Sequence, residues 1–189
     1  AESCLEEFGA LVVARDLDGD GYPDVAVTSL VSPSLGWYRN LRGEGGVWSS
    51  FHVIKQDLSD FVIVRLGDMD GDGDEDVVAG RRYLPVEDGE YTGEVLYYEN
   101  DLEGVSLSFG SRQLVTDEAG ELSRLFLADL ENDSDPDVLW SENTSGRVGW
   151  HENRLNQEEE DFGGSTLVAA LSGKTILDLD VADLNDDGL

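Results

Sequence analysis

The chain has 189 residues, and its 12 Lys and Arg against 42 Asp and Glu give a formal net charge of −30. This charge excludes non-specific nucleic-acid binding, which depends on basic side chains against phosphates, and it disfavours docking on an anionic membrane surface. Hydrophobic residues make up 40% of the chain, enough for a packed core, yet there is no apolar run of the ~18 residues that a membrane-spanning helix needs. The single cysteine, Cys4, excludes an intrachain disulfide.

Strand-like segments alternate with acidic loops along the chain. The first unit reads ALVVARD, then the loop DLDGDGYPD from Asp16, then DVAVTSL, GWYRN and FHVIK. The second reads FVIVRLGD, DMDGDGDED from Asp68, DVVAGRR, EVLYYEN and a weaker strand near SFGSRQLV. The third reads LFLAD, DLENDSDPD from Asp129, DVLWSEN, RVGWHEN and STLVAAL, and a fourth begins with ILDLDVAD and DLNDDGL. Short runs rich in Val, Leu, Tyr and Trp, bounded by Gly, Asp and Asn, are typical of strands.

The loops recur at intervals of roughly 50 to 60 residues, and an asparagine keeps the same period at Asn40, Asn100 and Asn153. The second unit is longer by the polar segment Tyr83–Thr92, which we predict to be an inserted surface loop. Four strands in a unit of this length predict the blade of a β-propeller.

We therefore predict an all-β fold of four-stranded antiparallel blades, about three and a half of them in an incomplete ring. As one repeat domain, the blades are expected at about 8–56, 60–115, 122–171 and, in part, 175–189. An unfinished blade leaves an unpaired strand edge. The sequence therefore favours either a longer polypeptide or head-to-tail self-association of copies into a ring or filament.

The first loop concentrates four carboxylates within nine residues, at Asp16, Asp18, Asp20 and Asp24. Such a cluster is repulsive unless a cation lies within it. The two glycines of the loop allow a tight coil with positive φ, which can turn alternate side chains and the Tyr22 carbonyl towards one point. An all-oxygen cage of about six ligands suits Ca²⁺ best and Mg²⁺ second.

The other loops repeat this pattern with different fidelity. The second is intact, whereas the third has Glu131 in place of an aspartate and Asn132 and Ser134 in place of the glycines, so we expect a weaker third site. The fourth loop offers Asp183, Asn185 and Asp187.

An EF-hand is excluded because it needs a bidentate Glu at position 12 and flanking helices. Position 12 is Val27, Ala79 and Trp140 in the three complete loops, and strands are predicted on both sides.

The pattern D-x-D-G-D-G-x-x-D, followed by a short apolar strand and a segment ending in Asn, resembles the FG-GAP or VCBS-type repeat of integrin α-subunit-like propellers. The resemblance covers nearly the whole chain, from about Phe8 to Leu189. It implies that Ca²⁺ is bound by side chains at loop positions 1, 3, 5 and 9 and by the carbonyl at position 7. The residues implied are Asp16, Asp18, Asp20, Tyr22 and Asp24; Asp68, Asp70, Asp72, Asp74 and Asp76; and Asp129, Glu131, Asp133, Asp135 and Asp137.

The resemblance also implies a secreted or surface-exposed protein that serves adhesion, glycan binding or assembly. We therefore predict an extracellular, calcium-stabilised segment that binds a protein or glycan ligand. The alternative is the noncatalytic propeller portion of a secreted carbohydrate-active enzyme. No catalytic site is predicted, because neither His52 nor His151 has a Ser or Cys nucleophile at a recognisable spacing.

Two further features remain open in the sequence. Paired aromatic residues recur in GWYRN, LYYEN and GWHEN, and they fit either packing between blades or sugar-stacking platforms. Of the two N-x-[ST] sequons, that of Asn143 is the better glycosylation acceptor, because the sequon of Asn132 lies inside the third acidic loop.

Overall fold

The computed structural model describes residues 12–29, 34–41, 46–56, 60–83, 92–101, 108–157, 161–172, 174, 176 and 179–182. Within these ranges the protein consists of strands and loops, and it contains no helix. The strands are β1 (Val12–Arg15), β2 (Asp24–Ser29), β3 (Ser34–Tyr38), β4 (His52–Gln56), β5 (Asp60–Gly67), β6 (Asp76–Tyr83), β7 (Thr92–Tyr98), β8 (Gln113–Thr116), β9 (Leu122–Ala128), β10 (Asp137–Glu142), β11 (Arg147–His151) and β12 (Thr166–Ala170).

The strands form three four-stranded sheets, each made of four strands that are consecutive in sequence. Every neighbouring pair is antiparallel, so each sheet is a meander. In every sheet the pairing between the third and fourth strands contains a register shift. The shift falls at Gly36 in the first sheet, Leu96 in the second and Gly149 in the third. The predicted all-β class with four-stranded antiparallel blades is thereby confirmed, and the described strands do not close into a barrel.

The blades stack face to face. Strand β5 of the second blade packs on β1 and β2 of the first, and β9 of the third packs on β5 and β6 of the second. Apolar side chains from both partners fill each interface. The first interface joins Leu17, Ala26, Leu35 and Trp37 to Val64, Val77, Ala79, Leu96 and Tyr98. Each fully buried side chain of this size contributes ~2 kcal/mol to stability, so blade stacking is the core of the molecule.

The paired aromatic residues of the third strands pack between blades. Tyr97 and Tyr98 are 1% and 2% exposed and belong to the interfaces on opposite sides of their blade. Successive side chains of a strand point to opposite faces, so one pair can serve two interfaces. In the first blade Trp37 is buried in the same way, whereas Tyr38 is 38% exposed. These positions favour packing over a sugar-stacking role.

The predicted strand from Ile176 to Asp183 is wrong for the part of it that the structure describes. Residues 176 and 179–182 pair with no strand. A strand requires a neighbouring ladder, and here packing takes its place: Ile176 is buried against Leu139 and Val148, with Leu179 and Val181 beside it.

Cys4, the body of the predicted insertion at 84–91 and the fourth acidic loop with Asp183, Asn185 and Asp187 lie outside the described residues.

Candidate metal centres

Each acidic loop connects the first and second strands of its blade. The first loop (16–24) lies between β1 and β2, the second (68–76) between β5 and β6, and the third (129–137) between β9 and β10. Because the blades stack in the same orientation, the three loops occupy the same corner of successive blades. We number the residues of each loop from 1 to 9.

The carboxylate at position 1 accepts hydrogen bonds from backbone N–H groups further along its own loop. Asp16 accepts hydrogen bonds from the backbone N–H groups of Asp20 at 3.1 Å and Gly21 at 2.7 Å. In the second loop, Asp68 accepts from Gly71 at 2.8 Å and Gly73 at 3.1 Å. Asp129 of the third loop likewise accepts from Asp133 and Ser134, at 3.1 and 2.8 Å.

The carboxylate at position 9 ties the loop to the end of the third strand. Asp76 accepts a hydrogen bond from Met69 N at 2.9 Å with one oxygen and from Asn100 N at 2.8 Å with the other. Asp24 and Asp137 repeat this arrangement in their blades: Asp24 accepts from Leu17 and Asn40, and Asp137 from Leu130 and Asn153. We call the hydrogen bonds of positions 1 and 9 the loop frame.

The carboxylates at positions 1, 3 and 9 converge in two of the loops. One oxygen from each of Asp16, Asp18 and Asp24 lies within 4.8 Å of the others, and Asp68, Asp70 and Asp76 form the same group. Among the described residues, the third loop brings no such group together. The first two loops therefore share a preformed carboxylate triplet that the third lacks.

The position-5 carboxylates lie outside these triplets. Asp20 accepts a hydrogen bond from Tyr22 N at 3.0 Å, Asp72 from Asp74 N at 2.9 Å and Asp133 from Asp135 N at 3.0 Å. This bond fixes the backbone of the position-7 residue, whose carbonyl was predicted as a ligand.

Burial makes it costly in free energy to ionise the carboxylates at position 9. Burial and, more weakly, the charges of Asp70 and Asp72 raise the pKa of Asp76, while hydrogen bonds from Asn100 and Met69 lower it, and the net pKa is about 7. Burial also raises the pKa of Asp24 and of Asp137. A bound cation would offset both the burial and the repulsion that raise these pKa values.

The donor chemistry of the first two loops fits a hard divalent cation. Every converging atom is a carboxylate oxygen, the ligand type that Ca²⁺ prefers. The Asp18 side chain is only 3% exposed, and its buried Oδ2 accepts no hydrogen bond. This oxygen is paired with the Arg39 guanidinium, so a cation at the first loop would compete with the arginine for it.

The third loop keeps the backbone path of the others without their glycines. Asn132 and Ser134 have φ values of 60° and 80°, close to the 75° and 98° of Gly71 and Gly73. Two of its carboxylates already accept hydrogen bonds from neutral amides: Asp135 from Asn156 Nδ2 at 2.8 Å, and Asp133 from Gln157 Nε2 at 3.5 Å.

The recurring asparagine joins one blade to the loop of the blade before it, a role that the sequence analysis did not assign to it. Asn100 Nδ2 donates to Leu17 O of the first loop at 2.8 Å, and Asn153 Nδ2 donates to Met69 O of the second at 2.6 Å. Both acceptors are at position 2. The sequence offered one signal for this role: the asparagine recurs with the same period as the acidic loops.

The residue just before that asparagine faces position 3 of its own loop, and sequence analysis missed it. Arg39 forms ion pairs with Asp18 and, at 3.4 Å, with Asp20. In the second blade, Glu99 lines the same cavity as Asp70. In the third, burial raises the pKa of Glu131 and the charge of Glu152 raises it further.

The two histidines and Asn143, the glycosylation candidate, contact neighbouring rings or backbone groups. His52 lies against the ring of Trp37, with 5.1 Å between centroids, and buried His151 bonds through Nδ1 to Gly163 O at 2.8 Å. Asn143 is half-buried and donates its backbone N–H to Glu121 O at 3.0 Å.

Stacked four-stranded blades with a carboxylate loop at the same corner define a β-propeller-type repeat protein. Residues 16–79 match the family described as FG-GAP-like repeat. Over 146 residues, 69% of this chain, the sequence is 31% identical to integrin alpha-4 of Xenopus laevis, and the matched region spans 13% of that relative's length. These matches support FG-GAP-type repeats in a chain that is similar to an integrin α subunit. Its described residues include no helix with the length and apolarity needed to cross a membrane.

Proposed function

We propose that this chain is a calcium-stabilised propeller segment of an extracellular protein that binds or adheres to a protein ligand. The observation that carries the proposal is the pair of preformed carboxylate triplets, at 16, 18 and 24 and at 68, 70 and 76. Their all-oxygen chemistry and irregular geometry favour Ca²⁺ over Mg²⁺, which requires a near-ideal octahedron.

The proposed ion has a structural role. Asp18 and Asp70 contribute from the middle of their loops, while Asp24 and Asp76 are buried at the start of a second strand. An ion held by these residues would clamp the connection between the first two strands of each blade. When bound, the ion supplies charge neutralisation of the triplet.

Binding rather than catalysis is supported by the positions of the titratable groups. His151 is buried and engaged with a backbone carbonyl, and His52 is stacked on a core tryptophan. The similarity to an integrin α subunit supports an extracellular or cell-surface location and a protein partner.

Calcium dependence of the melting temperature tests the proposal. At free Ca²⁺ about 100 times the dissociation constant, each site that binds only the folded state adds ~2.7 kcal/mol. For a chain of this size that corresponds to a rise of roughly 5–10 °C per site. Differential scanning calorimetry in Ca²⁺ and in excess chelator measures the difference, with Mg²⁺ as a third condition.

Single-site variants locate the effect. Asp70→Ala removes a triplet carboxylate and is expected to abolish much of the calcium-dependent rise, whereas Glu131→Ala is expected to leave most of it. Asp117→Ala makes the same charge change in the connection between β8 and β9, away from the loops, and serves as the control. A melting curve that is identical in Ca²⁺ and in excess chelator contradicts the proposal.

A further inference from the structure

The residue before the blade asparagine is basic in the first blade and acidic in the second and third, while it lies beside the same loop position. It is Arg39 in the first blade, Glu99 in the second and Glu152 in the third. Each belongs to the segment that follows the third strand, and each lies beside position 3 of its own loop. The triplets of the first and second loops are otherwise built alike.

In the first blade a guanidinium lies against the carboxylates. Arg39 pairs with Asp18 and with Asp20, whose side chains are only 3% and 6% exposed. The backbone of Arg39 is held on both sides by Ser49, whose Oγ accepts from Arg39 N and whose N–H donates to Arg39 O, each at 2.9 Å. The arginine is therefore positioned by the blade.

In the second blade the corresponding side chain is a carboxylate. Glu99 lines one cavity with Asp70, Tyr97, Gln113 and Leu155. Its backbone carbonyl accepts a hydrogen bond from Gly110 N at 2.7 Å, which places it as Ser49 places Arg39. The cavity gives a cation at the second loop access to one more carboxylate.

We propose that this residue sets the affinity of each loop: Arg39 is a built-in counter-ion that weakens divalent-cation binding at the first loop, and Glu99 is an additional acidic group that strengthens it at the second. The inference rests on the proposed calcium function and assigns its sites unequal strength, although the two loops have equivalent aspartates. A cation entering the first loop must displace the guanidinium or bind beside it.

The size of the effect follows from short-range electrostatics. A charged neighbour within ~4–6 Å changes the proton affinity of a carboxyl group by about tenfold or more. Because Ca²⁺ carries two charges, the same neighbour acts on it at least as strongly. We therefore expect the second loop to bind Ca²⁺ at least about tenfold more tightly than the first.

Titration calorimetry with CaCl₂ at fixed ionic strength measures each loop separately in the full chain. Asp70→Asn disables the second loop, so that the first has the remaining triplet, and Asp18→Asn does the reverse. In the Asp70→Asn background, Arg39→Gln is expected to tighten Ca²⁺ binding about tenfold. Arg39→Lys, which keeps the charge, is expected to change the affinity by less than about threefold. In the Asp18→Asn background, Glu99→Gln is expected to weaken binding about tenfold.

Arg147→Gln is the matched control. Arg147 also pairs with two carboxylates, Glu118 at 3.7 Å and Glu142 at 3.9 Å, and it is 35% exposed where Arg39 is 30%. It starts β11, at the end of the blade away from the loops, so its removal changes net charge equally without touching a loop. Arg39→Met is a second neutral variant should Arg39→Gln fold poorly by circular dichroism.

The outcomes separate the two proposals. Equal tightening by Arg39→Gln and Arg147→Gln, or no tightening by either neutral variant, overturns the role of Arg39 while leaving calcium binding intact. An unchanged affinity in Glu99→Gln overturns the role of Glu99. A chain that binds no Ca²⁺ at all contradicts the proposed function, and the ranking of its loops falls with it.

Discussion

The second and third acidic loops have the same hydrogen-bonded frame but different interiors. Asp68 and Asp129 each accept a hydrogen bond from the position-6 N–H. The position-9 carboxylates Asp76 and Asp137 each accept from position 2 and from the asparagine that follows the third strand. Of these two loops, only the second gathers a carboxylate triplet. The comparison shows that the frame and the cation ligands are separate properties of one loop.

Among the ligand and glycine positions, the two loops differ at 3, 4 and 6. The longer Glu131 replaces an aspartate, and Asn132 and Ser134 adopt positive φ where the second loop has glycine. The left-handed region costs a non-glycine residue ~1–2 kcal/mol, least for Asn. The frame is therefore strong enough to impose this conformation without glycine.

The largest expected difference between the second and third loops is in how the free energy of unfolding depends on pH when no metal is bound. The pKa of Asp76 in the folded chain is about 7, against ~3.9 for an unfolded aspartate. Between these values the folded state binds more protons than the unfolded state. The free energy of unfolding therefore falls as pH rises from about 4 to about 7, by up to ~4 kcal/mol. Urea unfolding in chelator measures this slope.

Variants assign that slope to the second loop. Asp76→Asn is expected to remove most of it, and Asp137→Asn a smaller part. Saturating Ca²⁺ is expected to flatten it, because the cation favours the ionised carboxylate. A slope that is unchanged in Asp76→Asn would show that other groups cause it.

A second test breaks the link between the two loops. Asn153 is fully buried, and its Nδ2 donates to Met69 O of the second loop at 2.6 Å and to Pro136 O of the third at 3.2 Å. Asn153→Ala leaves both carbonyls without this donor and is expected to lower the free energy of unfolding by ~2–3 kcal/mol.

Asn40→Ala is the control for this change. Asn40 is half-buried, and its Nδ2 donates to Pro23 O of its own loop at 3.2 Å. The expected loss is ~1 kcal/mol. If urea unfolding gives equal losses of unfolding free energy in the two variants, the contact between blades adds no stability of its own.

The smallest expected effect comes from exchanging glycine between the loops. Ser134→Gly relieves the positive φ and is expected to stabilise the chain by ~1 kcal/mol. Gly73→Ala is the reciprocal change. Its new Cβ would meet nothing within 4 Å, so the expected loss of ~1 kcal/mol is conformational. A destabilised Ser134→Gly variant would show that the serine side chain contributes a contact to the third loop.

The repeat pattern predicted much of this architecture from sequence. Strands of alternating or continuous apolar residues, interrupted by loops such as DMDGDGDED, predict four-stranded blades because the interval is fixed and the loop chemistry is local. The weaker third site stays a prediction, and the third loop gathers no carboxylate triplet among the described residues. These features depend on residues that are close in sequence.

The features missed depend on residues far apart in sequence. Arg39 lies 21 residues after Asp18, and nothing in the segment GWYRN indicates that its arginine faces a loop carboxylate. Asn153 reaches a carbonyl 84 residues before it, in another blade. Such contacts follow from the stacking of sheets, which a repeat pattern indicates in outline without specifying which side chains meet.

The backward reach of the asparagines has a consequence for the order of events during synthesis. Leu17 O obtains its partner from Asn100, 83 residues later, and Met69 O obtains its partner from Asn153, 84 residues later. At ~5–20 residues per second, the ribosome needs roughly 4–17 s to make that length of chain. The first and second loops are therefore each completed one blade behind the growing chain, and until then their position-2 carbonyls lack this donor.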